Sequence, residues 1–145
     1  MIFNTTLIEN RPDLIKLQIS VMKTAVQTKT AKKILIVEDE GEMCLLLNIL
    51  LHGEKMELDH VQSISKAKEY LANENPSVVI LDNKLPDGFG IDFLSYIKEN
   101  YPSIRVIMMS GYDLTGQESP VEKGAEIFLK KPFTRDELYQ SIMHS

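Results

Sequence analysis

Two short apolar runs in this chain end in carboxylates. Ser77-Val78-Val79-Ile80-Leu81 stops at Asp82, and Lys33-Ile34-Leu35-Ile36-Val37 stops at Glu38-Asp39-Glu40. Buried as neighbouring strands, the two runs bring Glu38, Asp39 and Asp82 into one acidic pocket. Three carboxylates about 5 Å apart repel by roughly 3 kcal/mol per pair at an effective dielectric near 20. Left alone, they take up protons or splay apart. A divalent cation resolves the repulsion, and Mg²⁺ suits a site with few carboxylates, several waters and substrate phosphate oxygens. An aspartate held there is also a nucleophile toward phosphorus, forming an aspartyl phosphate. Taken singly, Asp82 has a plainer reading, since Asp after a strand is common as a turn or cap residue.

The elements that must position these acids follow from the pattern. From Lys33 onward, strands are predicted at about 33–37, 56–61, 77–81, 104–109 and 126–130, alternating with helices at about 41–52, 63–74, 90–99, 119–124 and 134–144. Such alternation indicates an α/β fold, a parallel sheet with helices on both faces. The near-continuous apolar runs are what burial on both faces requires. Five strands match the doubly wound, flavodoxin-like order 2-1-3-4-5, whose ligands sit at the strands' C-terminal ends between strands 1 and 3. Those two ends carry Glu38-Asp39 and Asp82. Thr134-x-x-Glu137 reads as a capping box for the last helix, and Ser119-Pro120-Val121-Glu122 as another. Gly124 ends the latter almost at once, so the fourth helix is expected to be short.

Two further strand ends complete the rim. Val106-Ile107-Met108-Met109 runs into Ser110-Gly111, and Ile127-Phe128-Leu129-Lys130 into Lys131-Pro132-Phe133. A hydroxyl and an ammonium beside three carboxylates are groups suited to a phosphoryl anion. With them in place, the chain from about Lys32 onward resembles the receiver domain of two-component response regulators. The resemblance rests on Ile36-Val37-Glu38-Asp39-Glu40, Leu81-Asp82 with Leu85-Pro86-Asp87-Gly88, Met109-Ser110-Gly111, and Gly124-Ala125 through Leu129-Lys130-Lys131-Pro132-Phe133. Each signature is weak alone; in this order and spacing they are specific.

The resemblance implies the following roles. Asp82 is the phosphoacceptor, supplied by a histidine kinase or a histidine phosphotransfer protein. Glu38 and Asp39 hold Mg²⁺ together with Asp82 and the main-chain carbonyl of Lys84. Ser110 is the switch hydroxyl that moves to the phosphoryl oxygen, and Lys131 pairs with the phosphoryl group, preceding a cis Pro132. Lys130 is expected to point away by strand alternation. Phe128 falls where the family has a rotating aromatic, or is simply a half-buried Phe on an edge strand. Glu38 departs from the commoner Asp, and its longer arm still reaches a metal. Lys84 adds a cation at the pocket mouth, where pairing with the phosphoryl group or an acid would alter autodephosphorylation. The short fourth helix departs from the surface this family usually uses for dimerisation and output.

Two surfaces point to partners. In helix 41–52, Met43, Leu46, Leu47, Leu50 and Leu51 form a core stripe, while Leu45 and Ile49 lie opposite as an apolar pair. Exposed apolar pairs are ordinary, yet in the family this helix is where the phosphodonor's helical bundle docks. Residues 12–27 form a separate amphipathic helix, with Leu14, Ile15, Leu17, Ile19, Val21, Met22, Ala25 and Val26 on one broad face. An isolated helix of this length is marginal in water. It therefore needs a surface to cover: its own domain, a second copy in a homodimer, or a partner. Gln27–Lys32 reads as a tether, giving residues 1–31 as helix and tether and 32–145 as the receiver domain.

Composition narrows the classes. Residues 1–33 carry a net charge of +4 and residues 34–145 one of −9. An acidic body disfavours nucleic-acid binding, which depends on phosphate neutralisation. No apolar stretch reaches the roughly 18 residues of a membrane span. Cys44 is the only cysteine, which excludes an internal disulfide and fits a reducing cytoplasm. The expectation is a stand-alone, phosphorylation-controlled switch or phosphorelay intermediate, not an enzyme, whose output is contact with an unknown protein target. The alternatives are a receiver-fold interaction module indifferent to phosphorylation, and a small metal-dependent phosphatase. The latter lacks a general acid or base, because His52, His60 and His144 lie away from the strand ends.

Overall fold

The computed structural model describes residues 12–29, 31–111, 121 and 123–144. The chain divides into two compact units, Met1–Ala31 and Lys32–Ser145. In the first, helix α1 spans Pro12–Lys29. It runs past Gln27, so Gln27–Lys29, read above as tether, is helical: no Gly or Pro stops the helix there. Leu14, Leu17 and Ile19 are exposed on it.

The second unit runs β1 (Lys32–Val37), α2 (Gly41–Leu50), β2 (Met56–Val61), α3 (Ile64–Asn73), β3 (Val78–Asp82), β4 (Lys84–Leu85), β5 (Gly88–Phe89), α4 (Gly90–Asn100), β6 (Arg105–Ser110), β7 (Ile127–Lys130) and α5 (Arg135–Met143). Five strands form one sheet in the order β2-β1-β3-β6-β7, and all pairings within it are parallel. This is the predicted 2-1-3-4-5 topology, renumbered because β4 and β5 form a small antiparallel hairpin that the sequence pattern did not reveal. Half of the predicted helix at 119–124 falls outside the described residues; of it, Val121, Lys123 and Gly124 lie in turns.

Strand alternation explains the continuous apolar runs. Leu35, Val37, Val79, Leu81, Val106 and Met108 face α3 and α4, burying Ala67, Leu71, Phe93, Leu94 and Ile97. Their neighbours Ile34, Ile36, Val78, Ile80, Ile107 and Met109 face α2 and α5, burying Leu47, Leu51, Leu138 and Ile142. Each large side chain so buried contributes roughly 2 kcal/mol. β3 lies at the centre with all five residues buried, which fixes the height of Asp82.

Caps set the helix starts. Ser63 Oγ accepts from Lys66 N (3.1 Å) ahead of α3, and Thr134 Oγ1 from Glu137 N (3.1 Å) ahead of α5. At the other end of α5, Arg105 donates to the carbonyls of Ile142 (2.9 Å) and Ser141 (3.3 Å), and Lys32 Nζ to that of Ile142 (3.3 Å). Cations from the starts of two strands thus satisfy carbonyls that a helix end leaves open.

Candidate functional site

β1 ends at Val37 and β3 at Asp82 in adjacent positions of the sheet. Oxygens of Glu38, Asp39 and Asp82 lie within 4.8 Å of one another, the only group of three or more potential metal-ligating side chains among the described residues. Glu38 and Asp82 are buried and Asp39 is exposed. Lys131 spans the two buried acids, with Nζ 2.9 Å from Asp82 Oδ1 and 3.3 Å from Glu38 Oε2. It reaches them because it follows β7, where alternation leaves Lys130 exposed. The Lys131–Pro132 peptide is cis.

The electrostatics follow from burial. Desolvation holds the Glu38 carboxyl above its usual range, and the Asp82 charge adds to this. The Glu40 N–H (3.1 Å from Oε1) and Lys131 oppose it. Burial pulls Lys131 down, but the bond to Asp82 and the charges of Asp82 and Glu38 outweigh it and hold the ammonium above its usual range. Three carboxylates against one ammonium leave the site two charges short of neutrality. A divalent cation fits that deficit, and the carboxylate oxygens are of the hard type that Mg²⁺ takes. Cys44 donates weakly to the Glu38 carbonyl (3.6 Å). Its thiol is pushed up by burial and by Glu38 and Asp39, so it stays protonated and offers no thiolate to this cluster.

An open cleft of about 460 Å³ lies over these groups, lined also by Lys84, Leu85, Gly111 and Met43. Lys84 is exposed at its rim, placed by the β4–β5 hairpin. Ser110 is buried at the end of β6, one residue beyond Met109, the register partner of Asp82. Phe128 is half-buried on edge strand β7, packed against the core on the α3–α4 face. Leu45 and Ile49 are each 62% exposed on α2. Leu46, assigned above to the core stripe, is instead 41% exposed. In α2 only Leu47 is fully buried, so the apolar arc is narrower than the helical wheel implies.

The roles of two residues escaped the sequence reading. Asp87 accepts from Ile64 N and Ser65 N, both at 2.9 Å, tying the hairpin to the start of α3. These bonds hold its carboxyl below the usual range. Asn83 is buried beside Asp82, and its Oδ1 accepts from Ile91 N (3.0 Å). Asn is a favoured cap residue, but a cap reached from eight positions away leaves no local signature.

With this geometry in view, the comparisons are consistent. The response regulator receiver domain family matches residues 34–143, and the chain belongs to that family, the phosphorylation-dependent signalling module of two-component systems. Sporulation initiation phosphotransferase F of Bacillus subtilis is 33% identical over 112 residues, 77% of this chain and 90% of its own length. Response regulator protein PilR of Pseudomonas aeruginosa is 35% identical over 102 residues, and the match covers 70% of this chain but only 23% of that relative. Among solved structures, the beryllofluoride-activated NtrC4 receiver domain dimer aligns with a TM-score of 0.71 at 31% identity, covering 77% of this chain and 93% of that one. A CheY-like receiver domain protein from Methanospirillum hungatei aligns with a TM-score of 0.72 at 26% identity, covering 77% and 90%. No described helix is long and apolar enough to cross a membrane.

Proposed function

We propose that this protein is a phosphorylation-controlled switch or phosphorelay intermediate, with Asp82 as the phosphoryl acceptor. The observation that carries this reading is the Lys131 ammonium bridging Asp82 and Glu38 inside a three-carboxylate cluster. Glu38, Asp39, Asp82 and the Lys84 carbonyl would hold Mg²⁺, which when bound neutralises charge on the incoming phosphoryl oxygens. In the transfer, an Asp82 carboxylate oxygen forms an O–P bond as the P–N bond of a phosphohistidine donor breaks. The imidazole keeps the electron pair and takes up a proton. Lys131 faces the new negative charge, and Ser110 supplies a hydroxyl at the adjacent strand end. Phe128, half-buried on the neighbouring edge strand, is the side chain we assign to follow that hydroxyl.

The donor is a histidine kinase or phosphotransfer protein, which we place against Leu45 and Ile49. Output is by contact with a target protein, in the cytoplasm, with no catalysis on a foreign substrate. The separate unit Met1–Ala31 carries helix α1, and the exposed Leu14, Leu17 and Ile19 on that helix favour its pairing with a second copy. Wild type should then run in solution at the mass of two chains and the protein lacking residues 1–30 at the mass of one; the same number of chains per particle in both excludes a dimer built on this helix.

The deciding experiment incubates wild type and Asp82→Asn with a small acyl phosphate and Mg²⁺. A stable phosphoryl adduct lost in the variant supports the switch. No adduct in either indicates an interaction module, and turnover of unrelated phosphoesters indicates an enzyme. Leu45→Asp with Ile49→Asp should slow transfer from a phosphohistidine donor while leaving labelling by the small donor intact.

A further inference from the structure

Helix α4 starts immediately after the pocket loop, yet its own cap residue does not cap it. Phe89 occupies that position, makes no side-chain hydrogen bond and is 54% exposed. The open N–H groups at the start of α4 are met from the other end of the loop. Asn83 Oδ1 accepts from Ile91 N at 3.0 Å, and the Asn83 carbonyl accepts from Gly90 N at 2.7 Å. Asn83 N in turn donates to the Met109 carbonyl on β6 at 3.2 Å. One buried residue therefore ties the sheet to a helix start with three hydrogen bonds, and it is joined by a single peptide bond to Asp82.

The packing at that point leaves little slack. A Cβ built on Gly90 would sit 2.2 Å from the Asp82 carbonyl oxygen and 3.1 Å from Asn83 Cα. The start of α4 thus lies directly on the Asp82–Asn83 peptide, and the amide of Asn83 holds it there. If that amide is removed, the Ile91 N–H loses its acceptor and the helix start keeps only the bond from Gly90 N to the Asn83 carbonyl. One of the two walls that fix the Asp82 backbone would then be loosened.

We propose that Asn83 is a positioning residue for the acceptor carboxylate, holding the Asp82 peptide between β6 and the first turn of α4 in place of the cap that Phe89 does not provide. This rests on the acceptor reading of Asp82. It assigns Asn83 no contact with the phosphodonor or the metal. Its effect is on the geometry of attack: reactions that depend on near-attack alignment lose rate steeply with misplacement of about 1 Å.

The test measures initial rates of Asp82 phosphorylation across concentrations of a small acyl phosphate at saturating Mg²⁺, read by mass spectrometry. Wild type, Asn83→Ala, Asn83→Asp and Ser63→Ala are compared at a temperature where each is folded. Asn83→Asp keeps an acceptor oxygen for Ile91 N, whereas Ser63→Ala removes an ordinary cap from the neighbouring helix. The expected result is a fall of about tenfold in the saturating rate of Asn83→Ala with little change in donor KM. Asn83→Asp restores most of the rate, and Ser63→Ala keeps the wild-type rate despite its own loss of stability. Should Asn83→Ala fail to fold, Asn83→Ser takes its place, because its shorter hydroxyl stops short of Ile91 N. The proposal is overturned by a wild-type rate in the Ala or Ser variant, by an Asp variant as slow as Ala, or by an equal slowing in Ser63→Ala. Absence of labelling in wild type, or labelling that persists in Asp82→Asn, overturns the acceptor reading itself and the proposal with it.

Discussion

Neutralising one acid of the cluster should stabilise the metal-free protein. Asp39 is the acid to change, because it is exposed and its replacement by Asn leaves the core untouched. Its carboxylate oxygen lies within 4.8 Å of oxygens of Glu38 and Asp82. At that separation each repulsion amounts to about 3.5 kcal/mol at an effective dielectric of 20, and about 0.9 kcal/mol at that of water. Exposure puts Asp39 near the lower figure, so two such pairs cost about 2 kcal/mol. Loss of attraction to Lys131 returns part of this, leaving Asp39→Asn more stable than wild type by about 1 kcal/mol in EDTA. Mg²⁺ at about ten times its dissociation constant then stabilises wild type by about 1.4 kcal/mol through mass action. The variant, lacking one of the three carboxylates proposed to hold the ion, gains far less. Urea denaturation at neutral pH with EDTA and with Mg²⁺ should therefore show the order of stabilities narrowing or reversing between the two conditions. A variant less stable than wild type in EDTA, or one that gains as much as wild type from Mg²⁺, refutes the reasoning.

Removing the counter-cation has the opposite sign: Lys131→Met leaves Glu38 and Asp82 buried without their shared partner. It should lower metal-free stability by about 2 kcal/mol, below the usual cost for a fully buried pair because the lysine side chain is 17% exposed; urea midpoints in EDTA check this. Gly90→Ala sets helix propensity, worth up to about 1 kcal/mol in favour of Ala, against a Cβ 2.2 Å from the Asp82 carbonyl oxygen. The clash should win by about 2 kcal/mol, seen as a lower urea midpoint. Asp87 has a depressed folded-state pKa, because Ser65 and Ile64 N–H groups bind its ionised form. The folded state thus holds its proton less tightly than the unfolded state. Its contribution is present above the unfolded value of 3.8 and disappears as pH falls through the lower folded value. Unfolding midpoints measured across this acidic window should fall less steeply for Asp87→Asn than for wild type.

Much of the site was legible because two periodicities coincide in it. The runs Ile34–Val37 and Val78–Leu81 are apolar at every position, which only two-sided burial explains, and their acidic ends had to meet at the sheet's switch point. Alternation along β7 also chose Lys131 over Lys130, and Lys131 is the one within reach of Asp82. What stayed hidden depends on contacts distant in sequence or on small angular differences. Leu46 sits on a helix so rich in leucine that the wheel does not separate its edge from its centre. The Lys84–Phe89 hairpin is two residues per strand, below what alternation can signal. Asn83 reaches a helix start eight residues on, and nothing in the local turn distinguishes it from an ordinary loop asparagine.

The cations at the end of α5 carry a consequence for how the receiver unit assembles. Lys32 and Ile142 are joined across 110 residues of chain, and Arg105 reaches the same carbonyl from the start of β6. The last turn of α5 is completed only when β1 and β6, which flank β3 in the large sheet, are both already in place. Its closure therefore belongs late in folding, after the costliest long-range pairing has been made. Amide exchange in that turn should then track opening of the whole sheet more closely than local fraying, making the end of the last helix a reporter on the cooperativity of the unit.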